Sequence, residues 1–278
     1  MEPRRRSLLY LPGSSRPMIE KAGQRGADVL VLDLEDGVHP DHKDEARKIV
    51  SECYRTTDWG GSEVFVRANG PDTAWGDADI EMLTRLRPEA AVLPKCEKPE
   101  RIAGLRATLG DVPLLLMVET ARGVMAAQEL ASLPGVIGLV FGAADYRASL
   151  GAGRLPEEME LLFARSQILH AARAVGAQAF DTPWFEYKDL DGLEASTRRV
   201  REMGFDGKTA IHPAQVPVIH RVFQPTLDEI ARARGIVEVM QKASSQGKNV
   251  ATLGNEMVEA LHLRQALRTL ARARTEER

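Results

Sequence analysis

Cysteine is nearly absent from this 278-residue chain, with Cys53 and Cys96 as its whole complement. Two cysteines form no disulfide framework, and no Cys/His spacing of a structural zinc site accompanies them. There is no long hydrophobic run either, since none approaches the ~20 apolar residues that cross a bilayer. Nor is there an excess of positive charge. The net charge of −3 argues against a nucleic-acid or membrane-surface protein. The short clusters Arg4-Arg5-Arg6 and Arg198-Arg199 read as solvated tips. No signal-peptide pattern opens the sequence, so a reducing cytoplasm with both thiols free is expected. Low-complexity stretches are missing, and no Gly-x-Gly-x-x-Gly turn follows the first apolar run. That last absence weighs against a doubly wound dinucleotide-binding sheet.

What the sequence does contain is eight strand-length apolar runs, each followed by a helix-like segment. They span 8–13, 29–36, 64–69, 90–95, 114–119, 139–145, 177–181 and 209–212. Eight strand-then-helix units are the count of a closed (β/α)8 TIM barrel, in which the carboxyl ends of the strands ring the active site. The run at 29–34 is almost continuously apolar, as a strand covered on both faces must be. Segments 44–54, 123–133 and 156–175 carry helical spacing, the second stopping at Pro134-Gly135 and the third at Gly176. Residues 1–224 are therefore expected to form the barrel and 225–278 a C-terminal helical extension. In the extension, Thr226 to Glu229 has the spacing of a capping box. A helix to about 244, a short extended piece at 250–253 and a second helix over 257–273 follow.

On this plan Glu35, Asp36, Arg67, Lys95, Glu119, Asp145, Asp181 and His212 point into one bowl. Glu119 and Asp145 each end an otherwise apolar run, one unit apart. An oxygen-only pair of that kind suits a hard cation such as Mg²⁺. Taken singly, either could instead cap a helix or pair with a neighbour such as Arg122. Arg67, at the end of a Val/Phe strand, offers a planar fork for a substrate carboxylate or an oxyanion. It is equally a partner for Glu35 or Asp36, and such a pair would also orient it. Asp33, Glu35 and Asp36 put three carboxylates within four residues, with Asp33 and Glu35 on one strand face. Lys95 raises a Schiff-base aldolase possibility, but acidic strand ends around it favour the ammonium. His212 is either an acid, a base, a hydrogen bond to a ligand or a structural histidine.

Seven motifs, in order, resemble those of the citrate lyase beta-chain-like family, within the HpcH/HpaI aldolase/citrate lyase superfamily of malyl-CoA and citramalyl-CoA lyase-like enzymes. They are Arg6-Ser7-Leu8-Leu9-Tyr10-Leu11-Pro12-Gly13, Asp33-Leu34-Glu35-Asp36-Gly37-Val38, Val66-Arg67-Ala68-Asn69, Leu93-Pro94-Lys95, Val118-Glu119-Thr120-Ala121-Arg122-Gly123, Phe141-Gly142-Ala143-Ala144-Asp145-Tyr146 and Gly207-Lys208-Thr209-Ala210-Ile211-His212-Pro213. The resemblance implies a Mg²⁺-dependent barrel enzyme cleaving or forming a carbon–carbon bond beside a thioester. Malyl-CoA or citramalyl-CoA would give a 2-oxo acid and an acyl-CoA.

It further implies Glu119 and Asp145 as metal carboxylates, and Arg67 as both substrate-binding and catalytic. Among the strand ends, Glu35 and Asp36 are expected in support of these, Asp36 as a catalytic carboxylate. Pro12, Gly13 and Arg16 fall in the turn that meets the CoA nucleotide. A homotrimer or homohexamer is implied, with the extension packing on a neighbouring subunit. Relatives carry a Gly-x-Met-Val-Asp-like stretch in that extension. Here Gly254-Asn255-Glu256-Met257-Val258-Glu259 stands in its place, so Glu259 takes the proton-donating position with a side chain longer by one methylene. Three other activities stay open: malyl-CoA hydrolysis by a thioesterase, a citryl-acyl-carrier lyase beta subunit within a complex, and a metal-dependent aldolase on free 2-oxo acids.

Overall fold

The computed structural model describes residues 3–274. Two compact units divide the chain between His220 and Arg221. In the first, the strands are β1 (Ser7–Pro12), β2 (Val29–Asp33), β3 (Glu63–Arg67), β4 (Ala90–Leu93), β5 (Leu114–Val118), β6 (Val136–Phe141), β7 (Gln178–Asp181) and β8 (Gly207–Ala210). They pair in parallel, in sequence order, and β8 closes on β1 through Leu8↔Thr209. This is the TIM barrel. The helices that follow in chain order are α1 (Arg16–Glu20), α2 (Lys43–Thr56), α3 (Gly76–Leu86), α4 (Pro99–Leu109), α5 (Ala121–Met125) and α6 (Ala127–Ala131). Then come α7 (Ala143–Leu150), α8 (Leu162–Ala174), α9 (Leu190–Met203) and α10 (Gln215–Phe223).

Alternation along each strand decides what fills the barrel. Leu8, Val29, Val31, Phe65, Ala90, Val92, Leu115, Met117, Val140 and Phe180 form one buried cluster. They sit at every second position, the period of a pleated strand. Extending the same phase toward the carboxyl ends reaches Tyr10, Asp33, Arg67, Glu119, Gly142 and Thr182. An apolar plug therefore closes the lower barrel and polar residues crown it. The in-between residues face the helices.

Strands end sooner than the apolar runs suggested. Glu35, Asp36 and Lys95 lie in loops beyond β2 and β4, and Asp145 lies on the first turn of α7. The segment 123–133 is two short helices rather than one, broken at Ala126. The segment 156–175 opens with a 3-10 turn in which Glu157 and Glu158 both take positive φ, and only then becomes α8. Among the described residues no helix is long and apolar enough to cross a membrane.

The second unit holds α11 (Leu227–Ser245), the antiparallel hairpin β9 (Val250–Leu253) and β10 (Glu256–Glu259), and α12 (Ala260–Arg274). Thr226 and Glu229 form the reciprocal capping box at the start of α11. Ala233, Ile236, Met240, Val258 and Ala266 make its core. The expected helix from 257 begins instead at Ala260, because Met257 to Glu259 pair with β9. Gly254, with φ 59, allows the two-residue hairpin turn.

Candidate active site at the carboxyl end of the barrel

A cavity of about 310 Å³ opens at the carboxyl ends of the strands. Its charged lining consists of Asp33, Asp36, Arg67, Glu119 and Asp145, set among apolar walls that include Met117, Val140 and Phe141. Arg67 is its central cation. Nε donates to Asp33 Oδ1 at 2.6 Å and Nη2 to Asp33 Oδ2 at 2.7 Å. This two-pronged contact follows from β2–β3 register, in which Asp33 and Arg67 are direct neighbours. Nη1 lies 2.7 Å from Glu35 Oε2 and 3.7 Å from Asp36 Oδ2. The Tyr10 ring stacks under the guanidinium at 5.0 Å. Burial by itself would lower the arginine's pKa, but the Asp33 charge and hydrogen bonds outweigh it and hold the cation firmly protonated. One edge of the fork is thus tied to Asp33, and Nη1, whose one hydrogen bond is the long contact to Met117 Sδ at 3.9 Å, is the donor beside the cavity.

The loop carrying Glu35 and Asp36 is pinned from below. The buried Lys43 ammonium donates to Leu34 O, Glu35 O and Asn69 Oδ1, each at 2.7 Å. Asn69 in turn donates to Leu34 O and to Asp79 Oδ2, and Arg47 completes Asp79. Asp33 also accepts the Glu35 and Gly37 amides, both at 2.8 Å.

Glu119 stands across the cavity mouth and is 3% exposed. Burial pushes its carboxyl up to about 7, and the charges of Glu35 and Asp145 push the same way. Its Oε1 accepts the Lys95 backbone N–H at 2.6 Å. A Cβ at Gly142 would come 2.5 Å from Glu119 Cβ and 2.6 Å from Oε2, so the glycine is what lets Glu119 occupy this place. Asp145 is carried on the first turn of α7, whose start is fixed by Ala143 N–H donating to Thr182 Oγ1 at 3.0 Å. Lys95 holds φ 51, and its Nζ donates to Glu35 Oε1 at 3.1 Å. Burial would depress the lysine, but Glu35 prevails and raises it. Glu35 itself is pushed up by burial despite Arg67 and Lys95. A charged lysine is no Schiff-base nucleophile.

Two carboxylates that repel one another in a partly dry pocket, with oxygen as their only donor element, fit a hard divalent cation completed by water and substrate oxygens. Among the described residues no group of three His, Cys, Asp or Glu side chains is arranged to hold a metal alone. A soft-metal or all-protein cage is therefore not what this cavity offers.

Several expected members of the bowl lie elsewhere. Asp181 is fully buried on the helix-facing side of β7, between Phe180 and Thr182, which take the inward phase. Its carboxylate accepts from Arg165 at 2.8 and 3.1 Å and from Lys208 at 2.5 Å. Glu158 and Ser196 complete that cluster. His212 packs against the Tyr187 ring at 5.0 Å and does not line the cavity. Pro12 does line it, whereas Gly13 donates to Asp33 O at 2.7 Å. Arg16 pairs at the surface with Glu52 and, at 3.8 Å, Glu20. Glu259 is an exposed residue at the end of β10, its N–H donating to His262 Nδ1.

Sequence reading missed Asp33 as the direct partner of Arg67, and it missed Tyr10, Gly142 and Lys43. The Asp33-Leu34-Glu35 alternation was a usable signal for the first. The others needed the register between strands.

The family model HpcH/HpaI aldolase/citrate lyase matches residues 6–213, and one for a carbon–carbon bond lyase of the TIM-barrel fold matches 167–275. A (3S)-malyl-CoA thioesterase of Cereibacter sphaeroides is 38% identical over 96% of this chain and 94% of its own. The citrate lyase subunit beta of Leuconostoc mesenteroides is 35% identical over 92% of this chain and 88% of its own. Among solved structures, CitE of Mycobacterium tuberculosis with magnesium, acetoacetate and coenzyme A superposes with a TM-score of 0.85 at 30% identity. It covers 98% of this chain and 99% of that one. The citrate lyase beta subunit of the same organism with oxaloacetate and magnesium gives 0.72 at 32% identity, covering 81% of this chain and 100% of that one.

Proposed function

The chain belongs to the HpcH/HpaI aldolase/citrate lyase family, and from that premise we propose that it is a Mg²⁺-dependent carbon–carbon lyase. Its substrates are short 3-hydroxyacyl-CoA thioesters such as malyl-CoA or citramalyl-CoA. The products are a 2-oxo acid and the shorter acyl-CoA. The observation that carries this reading is one cavity lined by a buried, pre-oriented Arg67 together with the carboxylates Glu119 and Asp145. Magnesium complexes of relatives similar over nearly the whole chain support the cation.

In the mechanism we assign, Glu119 and Asp145 would hold Mg²⁺. When bound, Mg²⁺ supplies Lewis-acid polarisation of the substrate's hydroxyl and carbonyl oxygens. Asp36, in the cavity wall, takes the hydroxyl proton as the carbon–carbon bond breaks. Arg67 Nη1 donates to the oxygen on which negative charge grows. Because Asp33 already fixes the guanidinium, little reorganisation opposes that step. The apolar walls keep water from the enolate. Glu259, brought by a neighbouring copy in a homotrimer or homohexamer, protonates the enolate carbon. The turn containing Pro12, Gly13 and Arg16 meets the CoA nucleotide.

Hydrolysis of the malyl thioester is the second reading, supported by the thioesterase relative at 38% identity. Incubating the protein and Mg²⁺ with malyl-, citramalyl- and citryl-CoA, with mass detection of products, separates the two. Release of glyoxylate or pyruvate with acetyl-CoA is expected, abolished by chelator and restored by Mg²⁺. Free malate with CoA would establish the thioesterase instead, and no product from any thioester would end both readings.

A further inference from the structure

We infer that Lys95 is a positioning residue serving both halves of the site, holding Glu119 through its backbone and the Arg67 clamp through its ammonium. The inference rests on the functional reading just given. Lys95 is one of four non-glycine residues with positive φ among those described, the others being Arg87, Glu157 and Glu158. A lysine is disfavoured in the left-handed region, where glycine sits freely. Persistence of such strain beside a cavity points to a use for it.

Two uses are visible. The left-handed turn directs the Lys95 N–H onto Glu119 Oε1 at 2.6 Å. The next amide, Cys96 N–H, donates to Met117 O at 3.1 Å, so the loop after β4 is fastened to β5 on either side of Val118. A glycine would satisfy this much with less strain. The side chain supplies what glycine cannot, an ammonium 3.1 Å from Glu35 Oε1. Glu35 is buried, and its other oxygen lies 2.7 Å from Arg67 Nη1 without an aligned hydrogen bond. Glu35 is therefore held between two cations. Without the ammonium, its carboxylate is free to swing fully onto Nη1 and withdraw that donor from the cavity. Lys95 does not line the cavity and acts only through Glu119 and Glu35. The Leu93-Pro94-Lys95 motif thereby gains a role other than Schiff-base chemistry.

The test uses the full chain with Lys95→Met, Lys95→Gly and Lys95→Arg. Mg²⁺ binding is measured by calorimetry, glyoxylate and pyruvate binding in the presence of Mg²⁺, and kcat and KM on whichever thioester the wild type cleaves. Lys95→Met and Lys95→Gly should bind Mg²⁺ within roughly twofold of wild type. Both should lose about 10- to 100-fold in kcat, the usual effect of removing a group that orients a catalytic one. KM should move much less. Lys95→Gly should melt higher than Lys95→Met, because it relieves the left-handed strain. Lys95→Arg, still able to reach Glu35, should recover most of the lost kcat. Wild-type kcat in Lys95→Met would overturn the inference, as would a loss of Mg²⁺ binding in every variant that matched the loss in rate. If the wild type cleaves no thioester, the functional reading fails on its own. The positioning role is then judged by 2-oxo acid binding, which should weaken in Lys95→Met and Lys95→Gly and recover in Lys95→Arg, and unchanged binding overturns it.

Discussion

At the scale of single residues, the site depends on contacts that tolerate no added atom. Gly142 is the sharpest case. An added methyl would lie 2.5 Å from Glu119 Cβ, closer than real carbon contacts allow. Gly142→Ala should therefore displace Glu119 and weaken Mg²⁺ binding by about tenfold or more while the protein stays folded. Calorimetry against circular dichroism checks both halves. Glu119→Gln keeps the shape but removes the charge, and it should abolish Mg²⁺ binding and turnover together. Retained metal affinity in that variant would remove Glu119 from the ligand set. Arg67→Lys is equally informative. A single ammonium cannot reproduce the two-pronged contact with Asp33, so kcat should fall even though the charge is kept.

At the scale of elements, two buried ionic networks do different work. Lys43 ties the loop after β2 to Asn69 beyond β3, and Lys43→Met leaves Asn69 Oδ1 without its donor and the Leu34 and Glu35 carbonyls with only the Asn69 amide and the Val38 N–H. A loss of about 2–4 kcal/mol is expected, read from urea unfolding. The second network joins α8, β7 and β8 through Arg165, Asp181 and Lys208. Burial alone would raise the Asp181 pKa, but Arg165 and Lys208 outweigh it and bring it to about 2 from 3.8. A carboxyl depressed on folding stabilises the protein above its unfolded pKa. The contribution, about 2 kcal/mol, should be intact above pH 3.8 and vanish as the pH falls through about 2. Asp181→Asn should flatten that acid limb and cost stability at neutral pH, because Lys208 loses its buried carboxylate and Arg165 keeps only Glu158.

Asp181 also shows where sequence reading stopped. The existence of eight strands was plain, because parallel strands buried on both faces are written as unbroken apolar runs. So were Arg67, Glu119 and Asp145 as members of one ring. What each terminal residue faces was not plain, since it depends on the phase of alternation, and that phase is set by register between strands distant in sequence. Asp33 and Asp181 both end strands; one faces the cavity and the other faces a helix. No local pattern separates them. Gly142 and Lys43 were illegible for a related reason, because their partners lie 23 residues back and 26 residues on.

For the whole molecule, the assigned mechanism makes a prediction that no single chain satisfies. If Glu259 of one copy completes the site of another, Arg67→Ala and Glu259→Gln proteins should each be nearly inactive, yet a mixture reassembled from dissociated subunits should regain part of the activity. Light scattering should find trimers or hexamers in the active fraction. A mixture no better than its parts would place proton transfer within one chain or on another residue.

The contact between β7 and β8 carries one more consequence. Strands β7 and β8 share only two register pairs, and Asp181↔Lys208 is one of them. The last strand thus joins β7 through a minimal backbone ladder, and its stitching includes a charge cluster that is complete only once Arg165 has also arrived. Such an arrangement behaves kinetically as a latch. The seam should form late, after α8 has docked, and the ion cluster should be immature in the folding transition state. Breaking it should then speed unfolding far more than it slows folding. Asp181→Asn would leave a protein that assembles at nearly the native rate but springs open sooner, shortening its lifetime rather than preventing its birth.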